Sequence, residues 1–66
     1  MKNNIQKLRK ERKITQEELA KTCGVSRQTI ISLENGKYNP SIMLAYKIAT
    51  VFECIIEEVF IFEEGN

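Results

Sequence analysis

The stretch that decides the fold covers residues 15–36 and reads TQEELAKTCGVSRQTIISLENG. It holds two helical patterns joined by a short connection that contains glycine. The first pattern starts at Thr15, and Glu18 three residues later gives the spacing of a capping box. The second starts at Ser26, a residue type preferred at helix N-caps, and stops at Asn35 and Gly36. Two helices held at a steep angle by so short a turn form a helix-turn-helix unit, here over about residues 15–34.

Helical patterns also precede and follow this unit. A first helix is expected over about residues 4–13 and a last short one around residues 56–60. Between them, a fourth helix is expected to start near Asn39 and Ser41, with Pro40 at its first helical position. Its expected apolar positions are Ile42, Leu44, Ala45, Ile48, Ala49, Val51 and Phe52. Residues 59–62 are β-branched or aromatic, which favours an extended segment. The pattern predicts one all-α domain of five helices over residues 1–66.

Composition excludes several classes of protein. The chain has no histidine and no aspartate, and its two cysteines form no CxxC pair, so neither a metal ligand set nor a catalytic dyad is present. We therefore expect no enzyme activity and no cofactor, and we interpret Cys23 and Cys54 as small core residues. No apolar run is long enough to span a membrane, and the first residues lack the apolar run of a signal peptide. A cytoplasmic protein is expected.

The charges are segregated along the chain. Residues 1–52 hold all ten Lys and Arg and only four Glu, a balance of +6. Residues 53–66 hold five Glu and no base, a balance of −5. A basic body with an acidic end suits an anionic partner on one face, although many solvated surfaces share this pattern.

The second helix of a helix-turn-helix enters the major groove of DNA, where residues at its start meet base edges. Arg27, Gln28 and Thr29 occupy that start, and Ser32 follows one turn later. Arginine suits guanine, glutamine suits adenine, and threonine can donate, accept or touch a thymine methyl. We predict that these four side chains read bases. The alternative is an ordinary solvated first turn, with Thr29 supporting the helix start.

Affinity is expected from phosphate contacts. Gln16 stands at the start of the second helix, where backbone N–H groups and the helix dipole favour an anion. A polar, basic loop follows the recognition helix and is placed for the adjacent DNA backbone: Asn35, Lys37, Tyr38 and Asn39. The alternative is a solvated loop with one packed ring.

The motifs T-Q-E-E-L-A, G-V-S-R-Q-T-I, L-E-N-G-K and P-S occur in order, and with them the chain resembles the lambda-repressor-like (Cro/CI-type, or XRE) family. Within the family it is most similar to small stand-alone repressors such as the cytolysin-operon repressor. The resemblance implies five compact helices, a near-palindromic operator and a homodimer, with short terminal strands an option at the interface. It assigns phosphate contacts to Gln16 and Asn35, and base contacts to Arg27, Gln28 and Ser32. It also implies an ion pair between Arg9 and Glu34.

Three positions depart from the family pattern. Glu53 stands where glycine is usual, so the fourth helix should end at some cost. Ile55 stands where Ser or Pro usually starts the fifth helix, so that helix should be poorly capped and short. Ile31 stands where a polar residue is usual, and either DNA contact or partial burial would accommodate it.

The end of the chain offers a surface for a second copy. We expect Phe60 to cap the core and Ile61 or Phe62 to stay exposed, and we assign Phe60, Ile61 and Phe62, within residues 59–66, to a dimer interface. For Met43 and Tyr46, a core-edge role and an interface role remain open. The preferred function is a DNA-binding transcriptional repressor that acts as a homodimer. The alternative is a protein-interaction module, or an antitoxin or phage-immunity regulator that acts with a partner protein.

Overall fold

The computed structural model describes residues 1–37 and 39–62. The described part contains five helices: α1 Ile5–Glu11, α2 Gln16–Cys23, α3 Arg27–Glu34, α4 Ile42–Val51 and α5 Ile56–Val59. Helix α2 packs against both α3 and α4, and α5 packs on α4. The predicted all-α fold of five helices is confirmed.

All five helices contribute to one buried apolar cluster. Its largest fully buried side chains are Phe52, Phe60, Ile5, Leu19, Ile30, Leu33, Ile48 and Val59. No polar or charged residue among the described ones is buried. Burial of apolar side chains is therefore what fixes the orientation of the two helices of the helix-turn-helix.

The helix starts follow the caps expected from the sequence. Thr15 accepts a hydrogen bond from the Glu18 N–H at 3.0 Å, and the Glu18 carboxylate accepts from the Thr15 N–H at 2.9 Å, which completes the capping box. Ser26 caps α3 by accepting from the Thr29 N–H, and Ser41 caps α4 by accepting from the Leu44 N–H, each at 3.1 Å. The prediction that Pro40 opens α4 is wrong, because the Ser41 hydroxyl takes the N-cap and places Pro40 outside the helix.

The helix ends share one geometry. After each of the helices α1, α2, α3 and α4, one residue adopts a left-handed conformation. The N–H of the residue that follows it donates a hydrogen bond to a carbonyl in the last turns of the helix. Glycine fills this position after α2 and α3, but Lys13 fills it after α1 with φ 57° and Glu53 after α4 with φ 55°. Glu53 therefore carries the conformational strain that the sequence analysis expected for a residue with a Cβ at this position.

Helix α5 is short, as its start predicts. Ile55 has no side-chain oxygen to cap it, and only the Glu58 carboxylate helps, by accepting from the Ile55 N–H at 3.2 Å. The expectation that residues 59–62 are all extended is wrong for Val59, which closes α5. Phe60 is extended and forms an antiparallel bridge with Asn3.

One of the apolar positions of α4 lies on the surface. Ile42 is 79% exposed, because it is the first residue of α4 and lies outside the stripe that packs inward. Within residues 1–37 and 39–62, no helix is long and apolar enough to cross a membrane.

Candidate nucleic-acid interface

Helix α3 presents a polar face away from the core. Ile30 and Leu33 are buried against the other helices. Gln28, Ser32 and Asn35 follow each other at helical spacing on the opposite side. Of the predicted base-reading residues, Gln28 and Ser32 therefore share this outward face, with Gln28 exposed and Ser32 half-buried.

Ile31 lies half-buried beside the outward face of α3. Its spacing of one turn from Gln28 and Asn35 places an apolar group next to the polar ones. A branched apolar side chain at this place is suited to contact with a thymine methyl group or a deoxyribose.

Thr29 is turned toward the start of the helix. Its hydroxyl lies 2.9 Å from the Ser26 hydroxyl, and its N–H donates to the same oxygen at 3.1 Å. This contact gives Thr29 a structural role in the cap. The predicted base contact stays a prediction that would have to use the remaining hydrogen-bonding capacity of the hydroxyl.

Arg27 is exposed at the opposite edge and lines an open groove formed by the end of α1 and the start of α2. The other residues that line this groove are Arg9, Lys10, Lys13, Ile14, Thr15, Gln16 and Glu17. Four of the eight lining residues are basic. The groove thus joins a positive surface to the N-terminal end of α2, where unpaired N–H groups favour an anion.

Lys10 and Lys13 were not assigned a contact from the sequence, although both are exposed in this groove. The run RKERK at residues 9–13 carries the signal. The run becomes part of the groove only through the left-handed turn at Lys13, which brings the end of α1 beside α2.

A carboxylate that is largely shielded from solvent links three helices behind this groove. Glu34, at the end of α3, accepts from Arg9 Nε at 2.8 Å and from Arg9 Nη2 at 3.4 Å. It also accepts from Gln16 Nε2 at 3.0 Å. The Arg9 guanidinium continues to the Ile14 carbonyl through Nη1, at 3.0 Å. The structure therefore contains the ion pair that the family resemblance implies, and extends it to Gln16.

This link fixes the orientation of the Gln16 amide. One amide N–H is directed to Glu34, which leaves the second N–H and the carbonyl oxygen for other partners. A predicted phosphate contact at Gln16 would use that second N–H. The side chains of Arg9 and Glu34 are only 12% and 6% exposed, so the link is shielded from solvent.

The loop after α3 is only partly described. Asn35, Lys37 and Asn39 are exposed, and the Lys37 N–H bonds to the Ser32 carbonyl at 2.9 Å. Tyr38, also predicted to contact phosphate, lies outside the described residues. The described loop residues are therefore available to a partner that approaches the end of α3.

Comparison with known proteins shows which family has this arrangement. A helix-turn-helix family model matches residues 5–59. The chain belongs to the lambda-repressor-like helix-turn-helix family. As a member of that family it is a DNA-binding transcription regulator and not an enzyme.

This family member is similar to known proteins over most of their length. An uncharacterized HTH-type transcriptional regulator of Archaeoglobus fulgidus is 58% identical over 64 residues, which are 97% of this chain and 90% of that one. The uncharacterized HTH-type regulator MJ0272 of Methanocaldococcus jannaschii is 55% identical over 66 residues, the whole of both chains. The crystal structure of the restriction-modification controller protein C.AhdI from Aeromonas hydrophila covers 85% of each chain, with a TM-score of 0.77 and 30% identity.

The predicted dimer interface needs one correction. Phe60 is 1% exposed, because its ring belongs to the core as expected, so it offers almost no surface to a partner. Ile61 and Phe62 are 41% and 59% exposed. Phe62 lines an apolar groove with Ile42 and other residues, namely Met1, Asn39, Pro40, Ala45, Ile56 and Phe60.

The cysteines are free thiols in this structure. Burial raises the pKa of the Cys23 thiol, and burial together with the nearby Glu58 carboxylate raises the pKa of the Cys54 thiol. A raised pKa keeps a thiol protonated and unreactive. No cluster of metal-binding side chains occurs among the described residues.

Proposed function

We propose that this regulator binds a two-fold symmetric DNA site as a homodimer, inserts α3 into the major groove and represses transcription by covering a promoter. The outward face of α3, flanked by the basic groove, carries this proposal. Gln28 and Ser32 would read bases there, with Arg27 at the groove edge and Thr29 through its hydroxyl. Two copies of α3 would enter successive major grooves about one helical turn apart.

Phosphate contacts would surround α3 on both sides. Gln16 would donate to one phosphate from the start of α2, beside the positive charge of Arg27 and its neighbours in the groove. Asn35, Lys37, Tyr38 and Asn39 would contact the backbone beyond the end of α3. Lys37 would supply much of the salt dependence, because a lysine bound to phosphate releases a counterion.

The dimer would form through exposed apolar side chains at one end of the molecule. Ile61 and Phe62 are exposed, and Phe62 shares an apolar groove with Ile42. Apolar residues that form a contiguous exposed patch favour association, because burying them releases water. A second copy is the partner that matches the symmetry of a palindromic site.

The test is selection from a random duplex library. The purified chain is incubated with the library at several salt concentrations, and retained duplexes are sequenced. We expect enrichment of a two-fold symmetric motif with half-sites about one turn apart. Retention without any enriched motif would contradict sequence reading. Enrichment of a single half-site, together with a monomeric sedimentation profile, would contradict the homodimer.

Repression has its own test. A reporter gene under a promoter that contains the selected site should lose expression when the regulator is induced, and a matched promoter with a scrambled site should not. Increased expression would identify an activator. The alternative function is a protein-interaction module that docks a partner on Ile61 and Phe62. It would be favoured if the chain failed to retain any duplex even at low salt.

A further inference from the structure

We propose that Asn3 is a positioning residue for DNA binding, because its side chain ties the last turn of α3 to the terminal segment that carries Ile61 and Phe62. Pairing of two copies at those residues and presentation of α3 to DNA would then be coupled. This inference rests on the proposed function and adds a residue outside the helix-turn-helix.

The Asn3 amide uses all of its hydrogen-bonding groups. Its Nδ2 donates to the Leu33 carbonyl at 2.7 Å and to the Met1 carbonyl at 3.2 Å. Its Oδ1 accepts from the Ile5 N–H at 3.1 Å, at the start of α1. The two sides of the amide therefore face different partners, and only an amide satisfies both.

The backbone around Asn3 is paired with the end of the chain. Asn3 forms an antiparallel bridge with Phe60. The Asn4 N–H donates to the Val59 carbonyl at 2.7 Å, and the Ile61 N–H donates to the Lys2 carbonyl at 2.9 Å. Ile61 is thus bonded directly to Lys2, the residue that precedes Asn3.

On the other side, Asn3 reaches the end of the recognition helix. Leu33 belongs to the last turn of α3, and Gly36 follows it in a left-handed conformation with φ 70°. The N-terminal segment lies directly on this turn, since a Cβ placed on Gly36 would be 3.2 Å from the Met1 carbonyl oxygen. Moving the segment would therefore move the loop that leads to Lys37.

Asn3 thus connects two surfaces that have separate partners. One is the exposed apolar end of the chain, and the other is the end of α3 with its polar loop. A partner bound to either surface would stabilise the hydrogen bonds of Asn3. Binding at one surface would therefore raise the affinity at the other. Such coupling is reciprocal by thermodynamic necessity.

The test compares Asn3→Asp with Asn4→Asp. Aspartate at residue 3 keeps the acceptor for Ile5 but turns a carboxylate toward the Leu33 and Met1 carbonyls, so the tie to α3 is lost. Asn4 is a matched control in the same segment, because its Nδ2 donates to the Glu58 carbonyl at 3.1 Å and not to α3. Both variants add one negative charge, so the net charge of the two proteins is equal.

Operator and non-specific duplexes are titrated with each protein at a temperature where circular dichroism shows all three to be folded. We expect Asn3→Asp to lower operator affinity about tenfold relative to Asn4→Asp, the effect of one lost donor to a buried carbonyl. Non-specific affinity should be the same in both variants. Equal operator affinities, or an equal loss on both duplexes, would overturn the proposal.

A separate experiment measures the coupling. The dissociation of the dimer is measured by sedimentation, with and without a duplex that carries one half-site. The half-site duplex should tighten the dimer of the wild type and of Asn4→Asp, and should have no effect on Asn3→Asp. The same effect in all three would overturn the coupling.

A readout without DNA separates this inference from the proposed function. Amide hydrogen exchange at Gly36 and Lys37 should be about tenfold faster in Asn3→Asp than in Asn4→Asp, because only the first variant loses the hydrogen bond to the last turn of α3. If the wild type bound no DNA, the proposed function would fail but the exchange result would still decide whether Asn3 holds α3. Unchanged exchange at Gly36 would overturn the tie itself.

Discussion

Replacing Glu34 by glutamine should destabilise the protein far more than other changes of one charge. The Glu34 carboxylate accepts from Arg9 at 2.8 Å and from Gln16 at 3.0 Å. Glutamine keeps the size of the side chain and one acceptor oxygen. It removes the negative charge and places an amide N–H₂ group where Arg9 and Gln16 both need an acceptor.

The expected magnitude follows from how little solvent reaches the pair. Losing one partner of a buried ion pair costs about 3–5 kcal/mol. Glutamine retains one acceptor and Arg9 keeps its bond to the Ile14 carbonyl, so we expect the free energy of unfolding to fall by roughly 2–3 kcal/mol, below the full penalty. For a domain of this size, each kcal/mol lowers the melting temperature by about 4–8 °C, so the variant should melt roughly 8–24 °C lower.

Urea and thermal unfolding followed by circular dichroism measure this change. Glu17→Gln is the control, because Glu17 is exposed on α2 and its replacement changes the net charge equally. The difference between the two variants should persist in 1 M salt, where exposed pairs are screened and shielded ones much less so. If Glu34→Gln unfolded within about 0.5 kcal/mol of Glu17→Gln, as surface substitutions do, the idea that this carboxylate joins three helices would be refuted.

Arg27→Ala should cost roughly 1–3 kcal/mol of operator binding and relax the preference at one base position, as measured by repeating the library selection; a loss uniform across sequences would reassign Arg27 to phosphate. Lys37→Ala should weaken binding evenly and reduce the slope of log affinity against log salt by about one unit, and an unchanged slope would remove this contact. Ile55→Ser should stabilise the protein by about 1 kcal/mol in urea unfolding, because serine can cap α5 where the exposed isoleucine cannot, whereas lower stability would show that the isoleucine packs usefully. The pKa of Glu18 lies below its ordinary value of 4.5, chiefly because its carboxylate accepts a hydrogen bond from the Thr15 backbone. Its contribution is full above pH 4.5 and is lost as the pH falls through the lowered pKa, so the melting temperature of Glu18→Gln should approach that of the wild type in acid.

The elements that the sequence predicted well are those with local causes. Thr15, Ser26 and Ser41 cap their helices because a side-chain oxygen binds an N–H three residues along the chain. The backbone strain at Glu53 also has a local cause, because this residue stands just after a helix where glycine is favoured. Pro40 was placed wrongly because two local rules competed, and the serine cap had the stronger effect.

The site was less predictable where its geometry depends on distant residues. Glu34 meets Gln16 only because α2 and α3 cross at the turn. Asn3 carries no signal in its own neighbourhood, and its partner Leu33 lies 30 residues away. The expectation that Phe60 caps the core is confirmed by its exposure of 1%, so assigning the same residue to the interface made the predicted interface too large.

The bridge between Asn3 and Phe60 also bears on how the protein folds. It joins residues that are far apart in sequence, so it closes nearly the largest loop available to the described chain. Closing a long loop costs more entropy than forming the local turns of α2 and α3. We therefore expect the helix-turn-helix to form first and this closure to come late. A newly made chain would form both helices of the helix-turn-helix before the contact that holds the end of α3 is in place. It would therefore become able to bind DNA only after its helices have formed.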